Sequence, residues 1–141
     1  MLKGISPLIS PDLLKILSEM GHGDEIVFGD SNFPAASHAQ RLIRADGHSI
    51  TALLEALMPL FPLDYAVDYS AVLMVFRGDK EPAVWSRYAD ILKAYPDGDK
   101  HFLTLAKPEF YERAKKAYCI VATSEAEGFA NIIIRKGVIR I

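Results

Sequence analysis

A run of six apolar residues, Ala71-Val72-Leu73-Met74-Val75-Phe76, has no polar position to turn toward water. At that length it reads as a β-strand covered on both faces rather than a half-exposed one. Such a strand demands a packed layer on each side of its sheet, and the rest of the chain supplies the pieces. Ser10-Pro11-Asp12 is a helix start: Ser caps, Pro is preset for the first helical position, and Asp suits the positive end of the dipole. Leu13, Leu14, Leu17 and Met20 then share one apolar face until Gly21 stops the helix. Ser49 caps a second helix from Ile50 to about Leu57, with Leu53, Leu54 and Leu57 inward and Pro59 and Pro62 beyond it. Glu81-Pro82 opens a third, to about Tyr95, that buries Trp85, Tyr88, Ile91 and Leu92. Lys107-Pro108 opens a fourth, with Phe110, Ala114 and Ala117 inward.

Between these lie further strand-like runs: Asp24 to Asp30, Arg41 to Arg44 (ended by Asp46-Gly47), His101 to Ala106, Tyr118 to Thr123 and Asn131 to Arg135. Lys3-Gly4-Ile5 is either a loop or an edge strand, and Ser31-Asn32-Phe33-Pro34 is a loop, because Pro34 biases Phe33 toward extended geometry. Strands and helices alternate, so the expected fold class is α/β: one layered domain over residues 1–141, with a central β-sheet flanked by helices. No repeat, low-complexity tract or linker divides it.

Composition narrows the function classes. Half the residues are hydrophobic, enough for a real core, and a net charge of −2 offers nothing to nucleic acid or an anionic membrane. No stretch approaches the length of a membrane span, and the N-terminus lacks a signal-peptide core, so a soluble cytoplasmic protein is expected. The single cysteine, Cys119, sits in Tyr118-Cys119-Ile120-Val121-Ala122 and reads as a buried strand thiol. There is no phosphate loop, dinucleotide fingerprint, Gly-x-Ser-x-Gly elbow, His-x-Glu or Cys-x-x-Cys pair, and His22, His38, His48 and His101 are too scattered to name a metal site. What remains is acid/base chemistry on a small neutral molecule, without metal or cofactor.

Three stretches could carry it. In Gly21-His22-Gly23-Asp24-Glu25-Ile26-Val27-Phe28-Gly29-Asp30, a histidine leaves a helix between two glycines and a carboxylate closes the next strand. Glycines permit a tight bend that leaves the imidazole accessible, and histidine is the side chain that titrates nearest neutrality. The plain alternative is a helix-capping histidine and a surface aspartate. Lys107, at a helix start, could hold an anionic or polyhydroxyl ligand, or belong to a solvated charged face. In Gly128-Phe129-Ala130-Asn131, the Asn131 amide offers a donor and an acceptor to a sugar hydroxyl, or simply closes a turn.

The segments Leu2-Lys3-x-Ile5-Ser6-Pro7-Leu8-Ile9-Ser10-Pro11, Met20-Gly21-His22-Gly23-Asp24, Ile43-Arg44-Ala45-Asp46-Gly47, Phe110-Tyr111-Glu112-Arg113-Ala114 and Asn131-Ile132, taken in order, resemble the L-fucose mutarotase and D-ribose pyranase family, the fucose branch more closely. The likeness spans nearly the whole chain. It implies a compact α/β fold in a ring-shaped homo-oligomer, pentamers stacked face to face into a decamer, with active sites where neighbours meet. It implies a cofactor-free mutarotase that interconverts α and β anomers of L-fucose or a related monosaccharide. His22 matches the family's proton donor, Asp30 a sugar-binding carboxylate, and Phe129, Ala130 and Asn131 its second sugar-contact segment. Two positions depart from the fucose pattern. Lys107 stands where arginine is usual, keeping the charge and losing the planar fork. Phe129 stands where tyrosine is usual, keeping a stacking face and losing a hydroxyl. The other readings are a sugar-binding or regulatory relative without catalysis, a ribose-type pyranase, and a scaffold with no ligand.

Overall fold

The computed structural model describes residues 1–141. The sheet is mixed and six-stranded, in the order β2-β5-β1-β6-β3-β4. Its strands are β1 (Glu25–Gly29), β2 (Leu42–Ala45), β3 (Tyr69–Met74), β4 (His101–Leu105), β5 (Cys119–Thr123) and β6 (Ile132–Arg135). β2, β5 and β1 run parallel to one another, as do β3 and β4. β6 enters between the two groups and pairs antiparallel with both β1 and β3.

The period-two alternation of the strands divides the core cleanly. Ile26, Phe28, Ala71, Leu73, Cys119, Val121, Ile132 and Ile134 belong to one face. They pack on Leu13, Ile16 and Leu17 of α1 (Pro11–Glu19), on Ile50, Leu53, Leu54 and Leu57 of α3 (Ile50–Leu57), and on Val84, Trp85, Tyr88 and Leu92 of α4 (Ala83–Leu92). Their neighbours Val27, Val72, Met74, Ile120, Ala122 and Ile133 face the opposite way. There they meet Phe110 and Ala114 of α5 (Lys107–Lys116), together with Phe33 and Ala35, the latter on the single-turn α2 (Ala35–His38). The expected sheet with helices on both faces is what forms.

The helix starts follow their caps. Ser10 accepts from Leu13 N at 3.1 Å, and Ser49 accepts from Ala52 N at 3.2 Å. Cys119 is fully buried, as expected, and burial pushes its thiol up to about 12. Boundaries differ where packing overrides pattern. β3 begins two residues before Ala71 and stops at Met74. Val75 is exposed, and Phe76 leaves the strand to stand edge-on against Trp85, with centroids 5.2 Å apart. α4 ends at Leu92 rather than near Tyr95, where a turn follows. Ile91 and Leu14, both expected inward, are only half-buried. Residues 3–5 form a turn rather than an edge strand.

One feature of α4 reaches across the core to the entrance of β6. The Trp85 Nε1–H donates to the carbonyl of Phe129 at 2.9 Å, and the Tyr88 hydroxyl donates to the carbonyl of Ala130 at 2.7 Å. Tyr88 is fully buried, and burial drives its phenol far above the ordinary range. Removing that hydroxyl leaves the Ala130 carbonyl buried without a partner. Tyr88→Phe is therefore expected to cost about 1–3 kcal/mol by urea unfolding, and an unchanged midpoint would show that the bond adds nothing.

Candidate active site

At the C-terminal ends of β1 and β3 lies a cavity of about 520 Å³, a size that suits a small organic ligand. Asp30, Asn131, Phe129, Lys107 and Tyr111 all line it. Asp30 follows β1 directly, and Asn131 sits one residue before β6, so the antiparallel pairing of β1 with β6 brings them together. The Asn131 side-chain oxygen accepts the Asp30 backbone N–H at 2.7 Å. That engages the oxygen and leaves the amide nitrogen, which takes no protein partner, as a donor available to a ligand.

Asp30 is 9% exposed. Burial pushes its carboxyl above the usual carboxylate range, and nearby Glu125 adds to this. Backbone N–H groups of Asn32, Phe33 and Ala130 pull the other way without cancelling it. Lys107, the first residue of α5, places its Nζ 5.4 Å from the centroid of the Tyr111 ring. Tyr111 meets Phe33 and His38 edge-on at 5.3 and 5.4 Å, which makes one wall aromatic. Phe129 holds a left-handed φ of +56°, a cost sustained by the Trp85 grip on its carbonyl. Ala130 is buried and its side chain does not line the cavity; its contribution is backbone.

His22 is elsewhere. It precedes β1 whereas Asp30 follows it, and the five residues of that strand span about 16 Å. The stretch that carries both His22 and Asp30 does not bring them together within one chain, and His22 does not line the cavity. Its own surroundings are built with care. The His22 Nε2 lies 3.0 Å from Oδ1 of Asp64, whose side chain is fully buried while that of His22 is 45% exposed. Asp64 also accepts the Ala66 N–H at 3.0 Å and the Arg135 Nε–H at 2.7 Å. The imidazole lies nearly parallel to the Tyr65 ring, 12° apart with centroids at 6.3 Å.

The turn carrying His22 is pinned to the far end of β6. Gly23 N donates to the Lys136 carbonyl at 2.8 Å, and Lys136 N donates to the Asp24 carbonyl at 2.9 Å. The Lys136 ammonium takes the last carbonyls of α1, those of Leu17 and Met20, in place of a C-terminal cap. Gly23 is required: its φ is +90°, and a Cβ there would lie 3.1 Å from the Arg135 guanidinium.

Of the polar residues that line the cavity, sequence reading named Asp30, Lys107 and Asn131 as site residues and missed Asn32, Arg77 and Tyr111. It also missed the Asp64 and Arg135 support of His22. Asp64 stands as a lone acid in an apolar loop, Phe61-Pro62-Leu63-Asp64-Tyr65, and no spacing rule joins residue 64 to residue 22. No group of three metal-ligating side chains gathers anywhere in the chain, and no helix is long and apolar enough to cross a membrane.

Asp64 links this site to stability. Burial alone would raise its carboxyl, but the Ala66 N–H and the Arg135 and His22 side chains outweigh it and hold the group at about 2. A carboxyl depressed on folding stabilises above its unfolded value and loses that contribution as pH falls through the folded one. The stability gap between wild type and Asp64→Asn is expected to shrink by about 2 kcal/mol from about pH 6 to about pH 2. Urea titrations at the two ends of that range read it, and a constant gap would contradict the ionised pair.

Residues 3–139 match the RbsD / FucU transport protein family. Among solved structures, the fucose mutarotase of Streptococcus pneumoniae in complex with L-fucose is 50% identical, with a TM-score of 0.93 over 99% of this chain and 100% of that one. FucU from Bifidobacterium longum is 43% identical, also at a TM-score of 0.93, over 98% of this chain and 100% of that one. RbsD of Bacillus subtilis complexed with D-ribose shares the fold at 21% identity and a TM-score of 0.73, over 99% of this chain and 100% of that one. The chain belongs to the RbsD/FucU family.

Proposed function

We propose that this protein is a mutarotase that interconverts the α and β anomers of L-fucose or a closely similar monosaccharide. The observation that carries the reading is the full-length likeness, at 50% identity, to a fucose mutarotase solved with L-fucose. The cavity supports it, combining hydroxyl-binding polar groups with an aromatic wall, which is the chemistry a sugar ring presents. Asp30 and the Asn131 amide would hold ring hydroxyls, Lys107 would add a polar contact, and Phe129 would pack on the apolar face of the ring.

His22 would protonate the ring oxygen while a base or water takes the proton from the anomeric hydroxyl. The ring opens to the aldehyde, the C1–C2 bond rotates, and reclosure returns both protons. Each well-placed proton transfer is worth about 10²–10⁴-fold, and neither calls for a cofactor.

Because His22 and Asp30 stand at opposite ends of the central strand β1, the His22 that serves a given cavity would come from another copy of the chain. We infer a ring of five chains, two rings stacked, with each site completed at a subunit contact. Tyr65, Val138 and Ile139, 46%, 40% and 79% exposed in the single chain, leave apolar surface around the His22 end for such a contact. A second reading, a sugar-binding relative without catalysis, rests on Phe129, which lacks the hydroxyl usual at its position.

Subunit mixing separates these possibilities. His22→Ala and Asp30→Asn are each expected to lower anomer exchange by at least about 10²-fold. Unfolded together and refolded as mixed oligomers, they should recover roughly a quarter of wild-type activity, the share of sites that receive both native residues. No recovery, with mixed oligomers verified by mass, would place both residues in one chain's site and overturn the shared arrangement. Unchanged exchange in His22→Ala would remove it as the acid.

A further inference from the structure

The histidine read as proton donor is not held by the sugar cavity but by a buried carboxylate that faces only protein. Asp64 has three partners on its two oxygens: the Ala66 N–H and His22 Nε2 on Oδ1, and the Arg135 Nε–H on Oδ2. Arg135 is itself the last residue of β6, fixed by the sheet, and the Asp64 backbone N–H donates to the Arg135 carbonyl at 3.1 Å. The carboxylate therefore cannot swing away from His22 without breaking the guanidinium contact. An ionised carboxylate only accepts, so the nitrogen it faces must carry a hydrogen. That leaves Nδ1 as the nitrogen that can change its protonation during turnover.

We propose that Asp64, clamped by Arg135, is the positioning residue of the catalytic acid: it takes the His22 Nε2–H and makes Nδ1 the nitrogen that trades protons with the sugar. The imidazolium gives its Nδ1 proton to the ring oxygen as the C1–O5 bond breaks, and the anomeric O–H proton leaves to water or a base. The neutral ring keeps Nε2–H on Asp64, and Nδ1 takes the proton back when the ring recloses. Nothing is oxidised or reduced. Asp64 touches no sugar; it orients the ring and balances the positive charge His22 carries before transfer, as carboxylates do for catalytic and metal-bound histidines elsewhere. The Tyr65 ring alongside the imidazole limits its rotation.

The inference rests on His22 being the acid, and the test separates the two. Magic-angle-spinning NMR of sedimented protein carrying ¹⁵N-histidine, with His22→Gln as the subtraction reference, reads the tautomer in the wild-type protein. The expected neutral form has hydrogen on Nε2; hydrogen on Nδ1 would overturn the proposal without any variant having to fold. In Asp64→Asn, the guanidinium retains the amide oxygen and the NH₂ turns toward His22, which forces the hydrogen to Nδ1. Anomer exchange in that variant should show kcat reduced about 10–100-fold with KM within about threefold. A variant that is merely less stable, with tautomer and kcat unchanged, would give Asp64 a structural role only and sink the proposal while leaving His22 as the acid. Wild-type exchange in His22→Gln would remove the acid assignment and this inference with it.

Discussion

The insertion of β6, antiparallel, between β1 and β3 is the constraint on which both the cavity and the His22 turn depend. Its entrance supplies Phe129 and Asn131 to the cavity, and its exit supplies Arg135 and Lys136 to the His22 turn. The strand is four residues long and buried on both faces for three of them. Slipping it by one residue would turn Ile132 and Ile134 away from the larger core and dismantle both ends together. The helices then act on this strand rather than on the cavity directly. α4 grips the carbonyls of Phe129 and Ala130 from beneath the sheet, and α1 rests its last carbonyls on the Lys136 ammonium.

That arrangement explains why the two chemical groups stand apart. A β1 strand long enough to be paired on both sides separates whatever lies before it from whatever follows it. A histidine before the strand and an aspartate after it therefore cannot share one site in one chain. The proposed assembly would resolve this with no change of fold, since a neighbour would bring the His22 end of its β1 to the cavity of the next chain. The apolar residues around His22, open to solvent in one chain, suit the same contact.

Much of the architecture was legible because its signals are local. Ser10, Ser49 and the prolines at 11 and 108 mark helix starts through their own backbone chemistry. The runs at 26–28 and 119–123 can only be covered strands. Boundaries were less legible where distant residues decide them, as when Phe76 leaves β3 to meet Trp85. The cavity residues Asp30, Lys107, Phe129 and Asn131 were identified from spacing together with family likeness, and the structure gathers them. The supports were not: Asp64, Arg135 and Tyr111 gain their roles only from sheet order and from a loop folding back over β6. A lone acid 42 residues from the histidine it holds leaves no pattern in the chain.

The account stands or falls on whether the intact protein speeds anomer exchange. Magnetisation-transfer NMR between the α and β signals of L-fucose at neutral pH, with D-ribose alongside, measures it without a coupled reaction. The account predicts exchange on fucose well above the buffer rate, and greater acceleration than on ribose. Saturable fucose binding with exchange held at the buffer rate would contradict it, and would make the chain a sugar-binding member of its family in which Phe129 has cost the chemistry.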